Sequence, residues 1–278
     1  MIAGFNRHPT SHMPNRSEQK PEDSLTAAPA SPFSKLQFIG LDFDIGEQAD
    51  WLSLILNSKP QTFEYFVTPN VYHVILLERD DEVASAYDDA CWKVCDSKIL
   101  SRLANFQKNN LRVYPGADIV QDLLADPKAQ NLRFAVVGPD LSQIEILRNR
   151  YPGVALQYIP SGFMDRGAQD WEKVLTTTEA CDADIYLICL SFPKQEFFAQ
   201  DLKRRGSAAG IGLCVGASID FLTDRQKRAP EWVRACGMEW AFRLLANPKR
   251  MWRRYLWDGP KIIWMFLKWR HKSASTMK

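Results

Sequence analysis

Asp96 closes an apolar run, Cys91–Cys95, and is followed at once by residues that begin a helical pattern. A carboxylate placed there can take a proton from a hydroxyl, because partial burial lifts its pKa toward neutrality. The same position suits an N-cap for a helix starting near Ser97, and the residues by themselves leave both readings open. A second chemical signal lies at the other end of the chain. Arg250, Arg253, Arg254 and Trp257 recur at i, i+3, i+4 and i+7, the spacing of a single helical face, and Arg243 falls in the last turn of the preceding pattern. Guanidinium forks grip diphosphates bidentately, so arginine in this density points to a phosphorylated ligand. The competing reading is a solvated basic face; the interleaved aromatics weigh against it.

The charge distribution sharpens that contrast. From Arg243 to Lys278 there are ten Lys/Arg and one acid, Asp258, giving +9, whereas residues 1–242 carry −7; the overall +2 hides the difference. Trp252, Trp257, Trp264 and Trp269 share this stretch with Tyr255 and Phe266. Cations interleaved with indoles suit an anionic, half-apolar surface such as a lipid headgroup layer. They also suit single-stranded nucleic acid, so an α/β nucleic-acid-binding protein with a basic aromatic tail is the alternative from another class. A nucleotide-dependent oxidoreductase is a weaker one, because no G-x-G-x-x-G follows any strand pattern.

Stepping along the chain, residues 1–32 hold five prolines and no apolar periodicity, which predicts a disordered arm without a secretory h-region. No apolar run approaches the length of a membrane span; Ile262–Leu267 is the richest and is far too short. A cytoplasmic protein is expected, with its six cysteines reduced. From Phe33 onward apolar runs alternate with amphipathic stretches, the strands at Leu36–Leu41, Phe63–Thr68, Cys91–Cys95, Arg133–Val137, Val154–Tyr158, Ile185–Leu190 and Gly212–Val215. This alternation predicts an α/β fold, a Rossmann-like parallel sheet covered by helices, over residues 33–225. Residues 226–278 are then a C-terminal helical, basic and aromatic appendage that associates with a membrane and completes the site.

In such sheets ligands bind beyond the carboxyl ends of the strands. The rim residues read in order are Thr68 and Asn70, Asp96, Gly138, Gln195 and Gly216. Small residues, amides and one carboxylate suit a polar ligand with phosphates. Asp42-Phe43-Asp44 is a D-x-D, but alternation explains it with Phe43 inward and both aspartates toward solvent. The four histidines are too scattered for a metal set; His73, beginning a helix after Asn70, has a structural role and a substrate contact as equal readings.

The ordered series Pro193-Lys194-Gln195-Glu196, Gly216, Ile219-Asp220-Phe221, Lys227-Arg228-Ala229-Pro230, Gly237-Met238-Glu239-Trp240, Arg243-Leu244 and Pro248 through Tyr255 resembles the signature region of the WecG/TagA/CpsF glycosyltransferases, family 26. Thr68, Asn70 and His73 upstream fit its T-x-N-x-x-H pattern, and the resemblance extends from about Phe38 to Leu256. It implies an inverting, metal-independent enzyme with no cofactor, peripheral on the inner face of the cytoplasmic membrane. The implied partners are a UDP-sugar donor, a polyprenyl-diphosphate-linked saccharide acceptor and an anionic membrane surface, with no nucleic acid. An oligomeric contact shed on membrane docking is also implied. By the same resemblance Asp96 is the base, Thr68, Asn70 and Gln195 lie near the sugar and the reacting centre, with Thr68 and Asn70 expected to be catalytic, and Arg243, Arg250 and Arg253, with Arg254 adjoining, close over the donor diphosphate. Ser97 and Ser191 stand where the family has glycine, and Arg112 to Asp118 is one residue longer than its R-x-x-G-x-D. Narrowing at the two serines implies a different sugar from the N-acetylmannosamine type, with xanthan-type exopolysaccharide members as candidates.

Overall fold

The computed structural model describes residues 33–276; the expected disordered arm, 1–32, lies outside the described residues. Ser34–Phe38 (β1) and Leu41–Ile45 (β2) form an antiparallel hairpin apart from the main sheet. The single strand expected at Leu36–Leu41 is thus corrected. Ile39 (φ 48°) and Gly40 (φ 78°) both take left-handed conformations, the requirement of a tight two-residue turn.

The main sheet has six parallel strands: Phe63–Val67 (β3), Trp92–Lys93 (β4), Arg133–Val137 (β5), Ala155–Ile159 (β6), Ile185–Ile188 (β7) and Gly210–Cys214 (β8). Their spatial order is β4-β3-β8-β7-β5-β6. The helices of the body are Gln48–Asn57 (α1), Val71–Leu77 (α2), Asp81–Asp88 (α3), Lys98–Phe106 (α4), Gly116–Ala125 (α5), Leu141–Arg150 (α6), Gln169–Glu179 (α7), Lys194–Arg205 (α8) and Ser218–Leu222 (α9). The periodicity over Val71–Ala86 resolves into two helices because the Asp80 carboxylate caps α3, accepting from the Glu82 and Val83 amides.

Two apolar layers sandwich the sheet, as a parallel sheet requires. Phe198, Ala199 and Leu202 of α8 lie in one and Ile144 and Leu147 of α6 in the other. The connections leaving β5 and β7, which are neighbours, therefore run to opposite faces, and a crevice opens beyond their carboxyl ends. Gly138 sits at this point with φ 119°. A Cβ there would lie 2.5 Å from the Cys189 carbonyl oxygen, so only glycine lets the two strand ends approach.

The C-terminal segment continues with Glu231–Ala235 (α10), Glu239–Ala246 (α11), Pro248–Trp252 (α12), a π-helical turn over Arg253–Asp258 and Lys261–Thr276 (α13). It folds back on the body. Ile262, Met265 and Phe266 of α13 are buried in the same layer as α2 and α8. Phe38 of the hairpin packs against Trp269 (ring centroids 5.1 Å) and Phe266 (6.1 Å). The opposite side of this segment is apolar and open: Leu245 is 82% exposed, Trp257 66% and Trp264 60%. Among the described residues no helix is long and apolar enough to cross a membrane.

Candidate active site

The carboxyl ends of β4, β3, β8 and β7 stand side by side, and the residues that follow them line one rim. Beyond β3, buried Thr68 donates its hydroxyl to the Cys214 carbonyl at the end of β8 (2.9 Å). Asn70 caps α2 by accepting from the Tyr72 amide (3.1 Å). Beyond β7, the Gln195 side chain accepts from the Gly216 amide (2.7 Å), which ties the start of α8 to the loop after β8.

Asp96 follows β4, and its amide donates to the Pro69 carbonyl (2.9 Å), fixing it beside the Asn70 loop. The cap of α4 is Ser97, whose hydroxyl accepts from the Leu100 amide (3.3 Å). The helix therefore does not use the Asp96 carboxylate, and the serine at the family's glycine position turns into the helix rather than across the rim. Burial raises the Asp96 pKa to about 7. The Arg243 guanidinium opposes that rise, Glu239 and Asp118 add to it, and Arg228 opposes it again. A carboxyl that titrates near neutrality is suited to accept a proton from a hydroxyl.

Two appendage arginines reach this rim. Arg254 donates to Asn70 Oδ1 (3.1 Å) and lies over the Tyr72 ring (4.8 Å). Arg243 packs on Phe221 (5.0 Å) and pairs with Glu239 one turn earlier (2.6 Å). Arg253 does not join them: it is exposed, although it adjoins Arg254. The expected single face of Arg250, Arg253, Arg254 and Trp257 is corrected here. Arg254 turns inward while Arg253 and Trp257 face out, and the turn from Arg253 to Asp258 is π-helical, with the Gly259 amide reaching the Arg254 carbonyl (3.0 Å). Arg250 lies in α12, but its side chain is outside the described residues.

The Nε groups of Arg254 and Arg228 are buried donors without a partner. Both guanidinium groups act electrostatically at the same site: Arg228 on Asp96, and Asp96 on Arg254. Buried N–H donors are almost always paired, so two orphaned guanidinium donors flanking one carboxylate mark a place for an anion. Arg228 is held by Asp118 of α5 (2.6 Å). Arg228, Asp118 and Glu239 were legible only as members of matching segments, not as site residues.

The D-x-D is also corrected in part. Asp42 is exposed as expected, but Asp44 is buried, accepting from the Lys93 amide (2.9 Å) and pairing with Lys35 (3.4 Å), because β2 packs against β4. A separate cleft of about 480 Å³, lined in part by Glu47, Trp51, Arg112 and Tyr114, does not include Asp96. All six cysteines are free. Among the described residues no cluster of three His, Cys, Asp or Glu side chains could hold a metal ion.

The family model described as the glycosyl transferase WecG/TagA/CpsF family matches residues 36–276. The chain belongs to this family. Among curated relatives, an N-acetylglucosaminyldiphosphoundecaprenol N-acetyl-beta-D-mannosaminyltransferase of Bacillus spizizenii is 32% identical over 164 residues, 57% of this chain and 61% of the relative. Its counterpart of the same name in Bacillus subtilis is 30% identical over 176 residues, 61% of this chain and 64% of the relative. The chain thus aligns with less than two thirds of the length of either relative.

Proposed function

We propose that the protein is an inverting glycosyltransferase that moves a sugar from a UDP-sugar to a polyprenyl-diphosphate-linked saccharide in the synthesis of a bacterial cell-surface glycopolymer or exopolysaccharide. The observation that carries this reading is the return of Arg254 and Arg243 to the rim that holds Asp96. Asp96 takes the proton of the acceptor hydroxyl as its oxygen attacks the anomeric carbon. The bond from that carbon to the diphosphate breaks, and UDP leaves with the electron pair. Arg243, Arg254 and Arg228 offset the charge that builds on the departing diphosphate. Thr68, Asn70, Gly138, Gln195 and Gly216 shape the donor side, and Arg250 and Arg253 lie on the appendage segment that closes it. The arginines, rather than a metal ion or cofactor, carry the electrostatic work in this proposal, so a chelator is expected to leave turnover unchanged.

The acceptor class is supported by the names of the relatives, which act on an undecaprenyl-diphosphate-linked sugar. The membrane side of the reading rests on the appendage. Exposed Trp252, Leu256, Trp257, Trp264 and Leu267 lie in the stretch from Arg243 to Lys278 with its nine excess positive charges, the composition of a helix that lies in an anionic headgroup layer. The protein would therefore work as a peripheral enzyme on the cytoplasmic face of the membrane, where its lipid-linked acceptor is presented.

The decisive experiment screens UDP-sugars against lipid-diphosphate acceptors with wild type and Asp96→Asn. One productive donor with wild type, and lost turnover with retained donor binding in the variant, is the expected outcome. Normal turnover by Asp96→Asn would remove the base from the proposal. Binding to oligonucleotides but not to anionic vesicles would favour a nucleic-acid role instead.

A further inference from the structure

Behind the rim runs a buried chain of polar side chains whose inner members, His73, Tyr87 and Glu196, the mechanism does not use. Asn70 Oδ1 receives two N–H donors, from Arg254 and from the Tyr72 amide (3.1 Å each). The amide nitrogen of Asn70 must then be the group facing His73 Nε2 (3.2 Å), which makes Nε2 an acceptor. A neutral imidazole with an accepting Nε2 carries its proton on Nδ1. Burial, and then the Arg254 charge, hold His73 neutral. Nδ1 therefore donates to the Tyr87 hydroxyl (2.8 Å). The one proton of that hydroxyl remains available to the buried Glu196 carboxyl, which it influences electrostatically and whose Oε2 forms no hydrogen bond. Glu196 Oε1 accepts from Gln195 Nε2 (2.9 Å), and Gln195 Oε1 accepts from the Gly216 amide (2.7 Å).

Among the bonds formed, each donor is fixed by its neighbour; the step from Tyr87 to Glu196 is the one that no hydrogen bond closes. An aromatic contact runs beside it: His73 stacks on Phe192 (3.8 Å, 9°), Phe192 meets Tyr72 edge-on (5.9 Å), and Tyr72 carries the Arg254 guanidinium. Both connections begin at the same appendage arginine and end at the start of α8.

We propose that His73, Tyr87 and Glu196 are positioning residues: through them, with Phe192 stacked alongside, the seating of Arg254 on Asn70 sets Gln195 and the Gly216 amide on the far side of the rim. This rests on the reading of the rim as a glycosyl-donor site, and it adds that a docked appendage orders the donor side as well as supplying charge. Buried polar chains of this kind act as units, because a broken link leaves unpaired groups on both sides.

The test is a double-variant cycle with Tyr87→Phe, which keeps the ring and removes the link, and Arg254→Met. Each single variant is expected to lower kcat/KM for the donor about tenfold, and the double variant to be no worse than the weaker single. A merely structural tyrosine would instead give losses that multiply, and that result would overturn the proposal. Hydrogen exchange of the same four proteins gives a readout free of activity. Both single variants should raise exchange over residues 191–197, far along the chain from either substitution, whereas a rise confined to α3 in Tyr87→Phe would overturn the proposal. If Tyr87→Phe melts early, Phe192→Leu, at a half-buried position, probes the same connection and should raise exchange over the Arg253–Asp258 turn; unchanged exchange there would count against it. Should wild type transfer no sugar to any lipid diphosphate, the function proposed above falls, while the exchange result still decides the chain.

Discussion

The rim of the sheet and the C-terminal appendage solve opposite problems. At the rim most polar groups are spent on one another: Thr68 on Cys214, Gln195 on Gly216, Ser97 on its own helix. The appendage is left with unspent capacity. It brings orphaned guanidinium donors inward at Arg228 and Arg254, and it turns Trp252, Trp257 and Trp264 out to solvent. A satisfied rim is a preorganised scaffold, whereas unpaired donors and bare indoles are costs that only a ligand and a surface can offset. In the proposed function, then, the body supplies geometry and the appendage supplies binding.

That contrast can be broken or sharpened in steps. The largest effect is expected at the rim's one raised carboxyl outside the buried chain: Asp96→Asn should lower transfer by roughly 10²–10⁴-fold in a steady-state assay, the usual worth of a general base, with donor binding retained in a titration. Next comes Arg254→Ala, which removes a charge-assisted contact to Asn70 and the inward cation; we expect transfer to fall on the order of 10–100-fold, with donor affinity weakened as well. If the outward indoles serve a surface, replacing Trp252, Trp257 and Trp264 together by Ala should abolish sedimentation with anionic vesicles and leave transfer to a short-chain, soluble acceptor nearly intact. Loss of the soluble reaction would instead make those residues part of the site.

The smallest effect concerns stability. The folded pKa of Asp96 is raised to about 7 from an ordinary 3.8. The group's contribution is then fully present below the unfolded value and is lost as pH rises through about 7. Asp96→Asn escapes that loss, so its Tm relative to wild type should climb between pH 5 and pH 8. A difference in Tm that stays flat over this interval would show that burial does not act on this carboxyl as described.

How much of this the sequence disclosed follows the range of the forces involved. The alternation of apolar runs with amphipathic stretches predicted the parallel α/β sheet and its covering helices, because strand and helix periods are local properties. The family resemblance was likewise carried by short ordered segments, and the match over residues 36–276 bears it out. The hairpin at residues 34–45 was missed because two consecutive left-handed residues, one of them isoleucine, leave little trace in composition. The inward turn of Arg254 was hidden for another reason: neighbours on a helix point about 100° apart, and the spacing alone does not say which of Arg253 and Arg254 meets the body. Asp44 was read as solvated because alternation does not say which neighbour covers the outer face of a hairpin. The polar chain through His73, Tyr87 and Glu196 joins residues from three separate helices or their flanks, so no spacing rule brings them together.

The pH dependence of kcat/KM, measured for wild type and Arg243→Met, tests most directly whether an appendage arginine and the rim carboxylate share one site. Wild type should lose activity as pH falls through about 7, since the protonated carboxyl cannot accept a proton, and removing the Arg243 cation should move that limb to higher pH. A limb that stays where it is in Arg243→Met, or that is absent from wild type, would contradict the account.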